Sequence, residues 1–121
     1  MSPSRRPRQA PRRGEIWTVA FGEPVGQEQA CRRPSVVVSS DRLNASRAGL
    51  VVVVPLTRTR RDLPSHVEIA PSDSGLAETS YAKSEDIKAI STERLVRRLG
   101  RAQPASLDQI GRALALLLEL A

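Results

Sequence analysis

Two short runs of valine organise the pattern of apolar and polar positions along this chain. Arg32-Arg33-Pro34-Ser35-Val36-Val37-Val38-Ser39-Ser40-Asp41 carries a pair of cations into an apolar strand. Leu50 to Thr57 repeats the arrangement in reverse: Val51 to Val54 lead into Pro55, Leu56 and Thr57, then Arg58, Arg60 and Arg61. Continuous apolar runs of this length read as strands buried on both faces. Pairing of the two would bring Arg33 and Thr57 together at one end. Pro34 is expected at the first position of its strand, where a missing N–H is tolerated. Ahead of it, Ile16, Trp17, Val19 and Phe21 mark a strand rich in β formers. Gly22 to Ala30 then forms a long loop able to lie across a site.

Beyond the first valine run, Ser40 or Asp41 caps a short helical turn through Arg42, Leu43 and Asn44 that ends near Gly49. Thr57 to Pro64 is a basic loop or distorted hairpin, His66 to Ala70 a strand, and Pro71 to Gly75 a turn. Tyr81 to Lys83 and Ile87 to Ile90 are two short strands separated by Ser84, Glu85 and Asp86. Leu95 to Leu99 fits a helical turn and a last short strand equally well. From Ala105 the period changes: Leu107, Ile110, Leu114, Leu117 and Leu118 share one face of an amphipathic helix, with Pro104 or Ser106 near its start. Leu116 and Leu120 widen that face, which calls for cover on more than one side, a second subunit being the candidate. The expected fold is α+β and mainly β, a small, strongly bent antiparallel barrel closed by a C-terminal helix. Its single domain runs from residue 13 to 121, behind a disordered basic arm over residues 1–12.

Composition narrows the function. A chain of 121 residues builds one core without staples. With only 2% aromatic residues, that core is made of Val, Leu, Ile and Ala. The same scarcity disfavours a regulatory RNA-binding module that stacks bases. Cys31 is the only cysteine and His66 the only histidine, so neither an internal disulfide nor a structural zinc site is expected, and a reducing cytoplasm is the expected compartment. No run approaches the roughly 20 apolar residues of a membrane span, and the N-terminus has no apolar core of a signal peptide, so neither insertion nor export is expected. The net charge is +6, but Arg5, Arg6, Arg8, Arg12 and Arg13 account for most of the excess. Setting those five aside from the 19 basic residues leaves the body nearly balanced against its 13 acids. The body is therefore not a general polyanion surface; its arginines cluster at 32–33, 58–61 and 94–101. The arm adds salt-sensitive attraction to nucleic acid or is simply solvated.

Arg13-Gly14-Glu15-Ile16-Trp17, Gly26-Gln27-Glu28-Gln29, Arg33-Pro34, the valine strand to Ser39, Val54-Pro55-Leu56-Thr57 and the leucine-rich C-terminal helix share an order and spacing. Together they resemble the MazF/PemK toxins, endoribonucleases of type II toxin–antitoxin modules. The resemblance covers roughly residues 12 to 120. It implies an SH3-like barrel, a homodimer, cleavage of single-stranded RNA without metal or other cofactor, and inhibition by a cognate antitoxin. By position it implies Arg33 and Thr57 as catalytic residues, with Glu28 as a further candidate. For an enzyme of that kind, RNA contacts are expected from Arg32, Ser39, Asn44, Arg58, Thr59, Arg60, Arg61, Glu85 and Asp86. Ser84-Glu85-Asp86 departs from the acidic–Gln pair commoner before Ile87, which points to a different base selection.

Metal-free RNA cleavage needs attack of the ribose 2′-OH on the adjacent phosphorus, leaving a 2′,3′-cyclic phosphate and a free 5′-OH. A base, an acid and a cation for the phosphorane oxygens are required. A guanidinium suits the third role, since its donors match phosphate geometry. Its ordinary pKa makes it a poor base, so either the site depresses that pKa strongly, or Arg33 orients the 2′-OH while Glu28 or solvent takes the proton. Thr57 can hold a non-bridging or leaving oxygen, with Ser39 in support. His66 reads as a strand residue, and one histidine excludes a paired-imidazole ribonuclease. Glu85 and Asp86 are a weak metal signal and more simply a solvated turn. The alternative is a non-catalytic toxin of the same barrel class that binds a protein such as DNA gyrase and has no need of the Arg33 and Thr57 pair.

Overall fold

A computed structural model describes residues 10–22 and 32–120. Seven strands and two helices follow one another along the chain: β1 (Glu15–Ala20), β2 (Arg32–Val37), α1 (Asp41–Asn44), β3 (Leu50–Thr57), β4 (His66–Ile69), β5 (Ser80–Lys83), β6 (Lys88–Ser91), β7 (Leu95–Arg101) and α2 (Pro104–Leu118). Single 3₁₀ turns at Ser84–Asp86 and Thr92–Arg94 precede β6 and β7. The strands form one antiparallel sheet in the order β4-β5-β3-β2-β1-β7, with β6 also paired to β3. The α+β, mainly β class stands. The sheet is bent like a barrel, but its edges β4 and β7 are not hydrogen-bonded to one another, so it is not closed.

β3 is the shared strand. One flank pairs with β2, and the other pairs with β6 over Leu50–Val53 and then with β5 over Leu56–Thr57. Pro55 stands where the change occurs. A proline within a central strand would leave a gap in the ladder; here it falls at the end of the β2 pairing and between the two partners on the other flank. The valine runs alternate into two cores. Val36, Val54 and Leu56 join Ile16, Val67, Ile69 and Ile110 under α2, whereas Val37, Val51 and Val53 join Val19 and Ile90 on the opposite face. Burial of both faces is the reason these strands carry no alternation. Each fully buried Val or Ile contributes roughly 1.5–3 kcal/mol relative to exposure.

The first strand is held by a buried carboxylate. Glu15, 8% exposed, accepts from the Arg12 N–H at 2.9 Å and Trp17 Nε1 at 3.0 Å and pairs with Arg98 Nε at 3.0 Å. Pro11 is buried as well, so residues 10–12, assigned to the arm by sequence, already lie against the body. Residues 1–9 lie outside the described residues. Pro34 is the third residue of β2 and not the first, because the strand begins at Arg32 opposite Ala20. The segment Leu95 to Leu99, ambiguous in sequence, lies within the strand Leu95–Arg101, paired to β1 with two register shifts that accentuate the bend. α2 buries Ile110 and Ala113, while Leu116, Leu117, Leu118 and Leu120 remain exposed. Among the described residues no helix is long and apolar enough to cross a membrane.

Candidate active site

The β2–β3 ladder runs through Val37↔Val53 and Val36↔Val54 and stops at Ser35↔Pro55. Pro34 explains the stop. The Val38 N–H on the Val52 carbonyl sets the alternation, in which Val36↔Val54 and then Pro34↔Leu56 face one another through their backbone polar groups, and Pro34 has no N–H to offer to β3. Extending the same register would set Arg33 opposite Thr57; with that donor missing the strands part there instead. A groove of about 760 Å³ opens between them, lined by Arg33 and Pro34 on one side and Pro55, Leu56 and Thr57 on the other. The sequence thus places its two chemically interesting residues on neighbouring strands, and the donor missing at Pro34 lets those strands separate far enough to admit a ligand.

Side-chain parity brings further groups to the same groove. Residues directly opposite one another share a face, so Lys83, next in register after Ala82↔Leu56, and Lys88, opposite Val53, fall on the face of Thr57 and Pro55. Both line the groove. Phe21 enters from the end of β1, with Lys88 Nζ 4.9 Å from its ring centroid, a cation–π contact. Arg94 fixes that end of β1: its Nη1 donates to the carbonyls of Ala20 at 3.1 Å and Gly22 at 2.8 Å. It is half-buried. Arg97, Arg98 and Arg101 are exposed. Five basic side chains against two acidic ones line the groove, so it favours an anion.

Thr57 is oriented for donation. Its Oγ1 accepts from the Thr59 N–H at 3.1 Å, which occupies a lone pair and leaves the hydroxyl proton for a ligand oxygen. Arg33 is exposed and takes part in no ion pair among the described residues. Arg32, Arg58, Thr59 and Asp86 line the groove as well. Arg58 is tied to Glu78 at 3.3 Å and Lys83 to Asp86 at 3.0 Å.

Other expected RNA contacts lie elsewhere. Ser39 and Asn44 are buried at the far end of β2, where the Ser39 hydroxyl donates to Asn44 Oδ1, Asn44 Nδ2 returns a bond to the Ser39 carbonyl, and the Val52 N–H donates to Ser39 Oγ. They lock α1 to β3 and do not line the groove. Arg60 and Arg61 are exposed beyond it, and Arg60 is engaged by Asp62 at 2.8 Å. Glu85 does not line the groove and accepts from Ser65 Oγ at 2.6 Å and from His66 Nε2 at 2.9 Å. Partial burial opposes its charge, but those two hydrogen bonds prevail and hold the carboxyl down at about 2. His66 has a buried side chain, 2% exposed, that is hydrogen-bonded to the exposed Glu85, and it is not a groove residue. Glu28 lies outside the described residues. Phe21, Lys83, Lys88 and Glu78 were not identified from sequence; the outward parity of Lys83 and Lys88 on short strands is a signal only once the strand pairing is known.

Comparison with known proteins places this geometry in a family. The PemK-like, MazF-like toxin of type II toxin–antitoxin systems matches residues 12–118. The chain is 41% identical over 114 residues to endoribonuclease MazF9 of Mycobacterium tuberculosis, covering 90% of this chain and 97% of that protein. It is 33% identical over 111 residues to endoribonuclease MazF4 of the same species, covering 92% and 95%. Among solved structures, an endoribonuclease in complex with its cognate antitoxin from a mycobacterial species superposes with a TM-score of 0.77 at 33% identity, covering 93% of this chain and 98% of that one. With the fold, the groove and the matched span in agreement, the chain belongs to the PemK/MazF-like toxins of type II toxin–antitoxin systems.

Proposed function

We propose that this toxin is a sequence-specific endoribonuclease that cuts single-stranded RNA independently of the ribosome and without a metal. The observation that carries the reading is the meeting of Arg33 and Thr57, from two different strands, on one positively charged groove. In this reading the 2′-OH attacks the adjacent phosphorus in line, expelling the 5′-oxygen and leaving a 2′,3′-cyclic phosphate. Arg33, with five fixed donors and a permanent charge, holds the non-bridging oxygens as negative charge grows on them. Thr57, its oxygen already accepting from Thr59, directs its proton to a phosphate or leaving oxygen. Glu28 or solvent takes the 2′-OH proton. Arg32 contributes phosphate contacts from the groove's edge, which position RNA without reading its sequence. The protein acts in the cytoplasm as a homodimer and is silenced by a cognate antitoxin, an acidic segment that folds over the same groove.

The test is incubation of purified protein with mixed-sequence RNA in chelator. Discrete fragments ending in cyclic phosphate are expected from the natural protein and none from a folded Arg33→Ala variant; Thr57→Val should slow cleavage more than it weakens RNA binding. Retained cutting by Arg33→Ala would overturn the assignment. RNA left intact by the natural protein would point to a toxin that acts by binding a protein.

A further inference from the structure

Two carboxylates, Glu78 and Asp86, stand in the groove with Arg33 and Thr57. Phosphate binding does not account for them, since an anion lining the path of a polyanion weakens attraction. Each is neutralised by a cation, but the two pairs differ in fixity. Arg58 and Glu78 are 71% and 61% exposed, too mobile to define a geometry. Lys83 and Asp86 are 33% and 43% exposed and bridge one 3₁₀ turn at 3.0 Å. Lys83 ends β5 opposite His66, and the turn that follows closes with the Ile87 N–H on the Ser84 carbonyl at 3.2 Å. Backbone on both sides thus sets this pair into the groove.

An ammonium beside a carboxylate offers a donor followed by two acceptors. Asp86 meets Lys83 through Oδ2, which leaves Oδ1 and a further lone pair of Oδ2 to accept. Single-stranded RNA is read on exposed base edges. The Watson–Crick edge of guanine carries the O6 acceptor and then two adjacent donors, N1–H and N2–H, the full complement of that row. Adenine, cytosine and uracil each present a single donor on that edge, so none can engage both carboxylate oxygens. Lys83 also cancels the charge that would otherwise repel neighbouring phosphates.

We propose that Lys83 and Asp86 are the base-reading part of the groove and select guanine at one fixed position relative to the cut. The assignment rests on the endoribonuclease reading above. It is tested by mapping cut sites of the natural protein and of Asp86→Asn on a degenerate RNA pool, then timing cleavage of a defined RNA in which that guanosine is replaced by inosine. Inosine lacks only the N2 amino group. The natural protein should show guanine at one fixed position and cut the inosine RNA about tenfold more slowly, the loss of one member of a bidentate pair. Asp86→Asn should lose the enrichment and cut both RNAs alike, and Lys83→Gln should weaken the same preference. Cut sites without a fixed guanine, equal cleavage of guanosine and inosine RNA by the natural protein, or an unchanged profile in a folded Asp86→Asn would each overturn it. Should either variant fail to fold, the inosine comparison on the natural protein decides. Absence of any cutting by the natural protein would instead remove the endoribonuclease reading, and this assignment with it.

Discussion

Single side chains in this protein divide by what occupies their polar atoms. Arg33 and Thr57 keep donors available to the groove, whereas Glu85, two residues from the Lys83 ammonium, spends its oxygens on Ser65 and His66. Since an ionised carboxylate only accepts, His66 Nε2 is the donor in that contact. A carboxyl at about 2 in the fold and 4.5 when unperturbed stabilises the folded state fully above about pH 4.5 and loses that contribution as pH falls toward 2. Denaturant melts between pH 6 and pH 2 should therefore show the natural protein and Glu85→Gln converging as acid is added. A stability difference that does not shrink over this window would refute the role given to Glu85. RNA affinity should be the same for both at pH 7, because the side chain does not line the groove.

At the scale of elements, prolines and one polar knot place the strands. Pro34 ends the β2–β3 ladder, and Pro55, whose missing N–H falls on the other flank of β3, marks the point where β3 changes partner from β6 to β5. At the other end of β2 the Ser39 and Asn44 pair ties α1 to β3. Asn44→Ala leaves Ser39 with unmet bonds in a buried site, which should cost about 1–3 kcal/mol of unfolding free energy in urea titration. Cleavage rate and RNA affinity should stay within about twofold of the natural protein at a temperature where both are folded, since additive, distant sites do not couple strongly. A large loss of affinity with intact stability would return Asn44 to the RNA contacts expected from sequence.

Across the whole molecule, charge and apolar surface are segregated. The groove gathers Arg32, Arg33, Arg58, Lys83 and Lys88 on one face, although the body as a whole is nearly neutral. The C-terminal end of α2 leaves Leu116 79% and Leu120 72% exposed, a pattern that association would cover. The double variant Leu116→Glu, Leu120→Glu should keep the secondary structure of the natural protein and sediment as a monomer where the natural protein, on the proposed homodimer reading, sediments as a dimer. An unchanged sedimentation coefficient would mean that the subunits meet elsewhere.

The sequence by itself determined the elements and most of their ends. Continuous valines could only be strands covered on two sides, Ser40 caps α1 through the Leu43 N–H, and the 3.6-residue spacing of leucines gave α2. The placement of Arg33 and Thr57 on one groove was legible because the ends of the two valine strands brought them together. Tertiary structure decided what local pattern cannot carry. Leu95–Arg101 became a strand because β1 supplies its partner, and the sheet stayed open because β4 and β7 do not meet. Ser39, Asn44 and Glu85 have side chains suited to RNA, yet partners five and 19–20 residues away engage them. Lys83, Lys88 and Phe21 reach the groove only through strand register. Which face a residue presents depends on the strand beside it, and that neighbour lies far away along the chain.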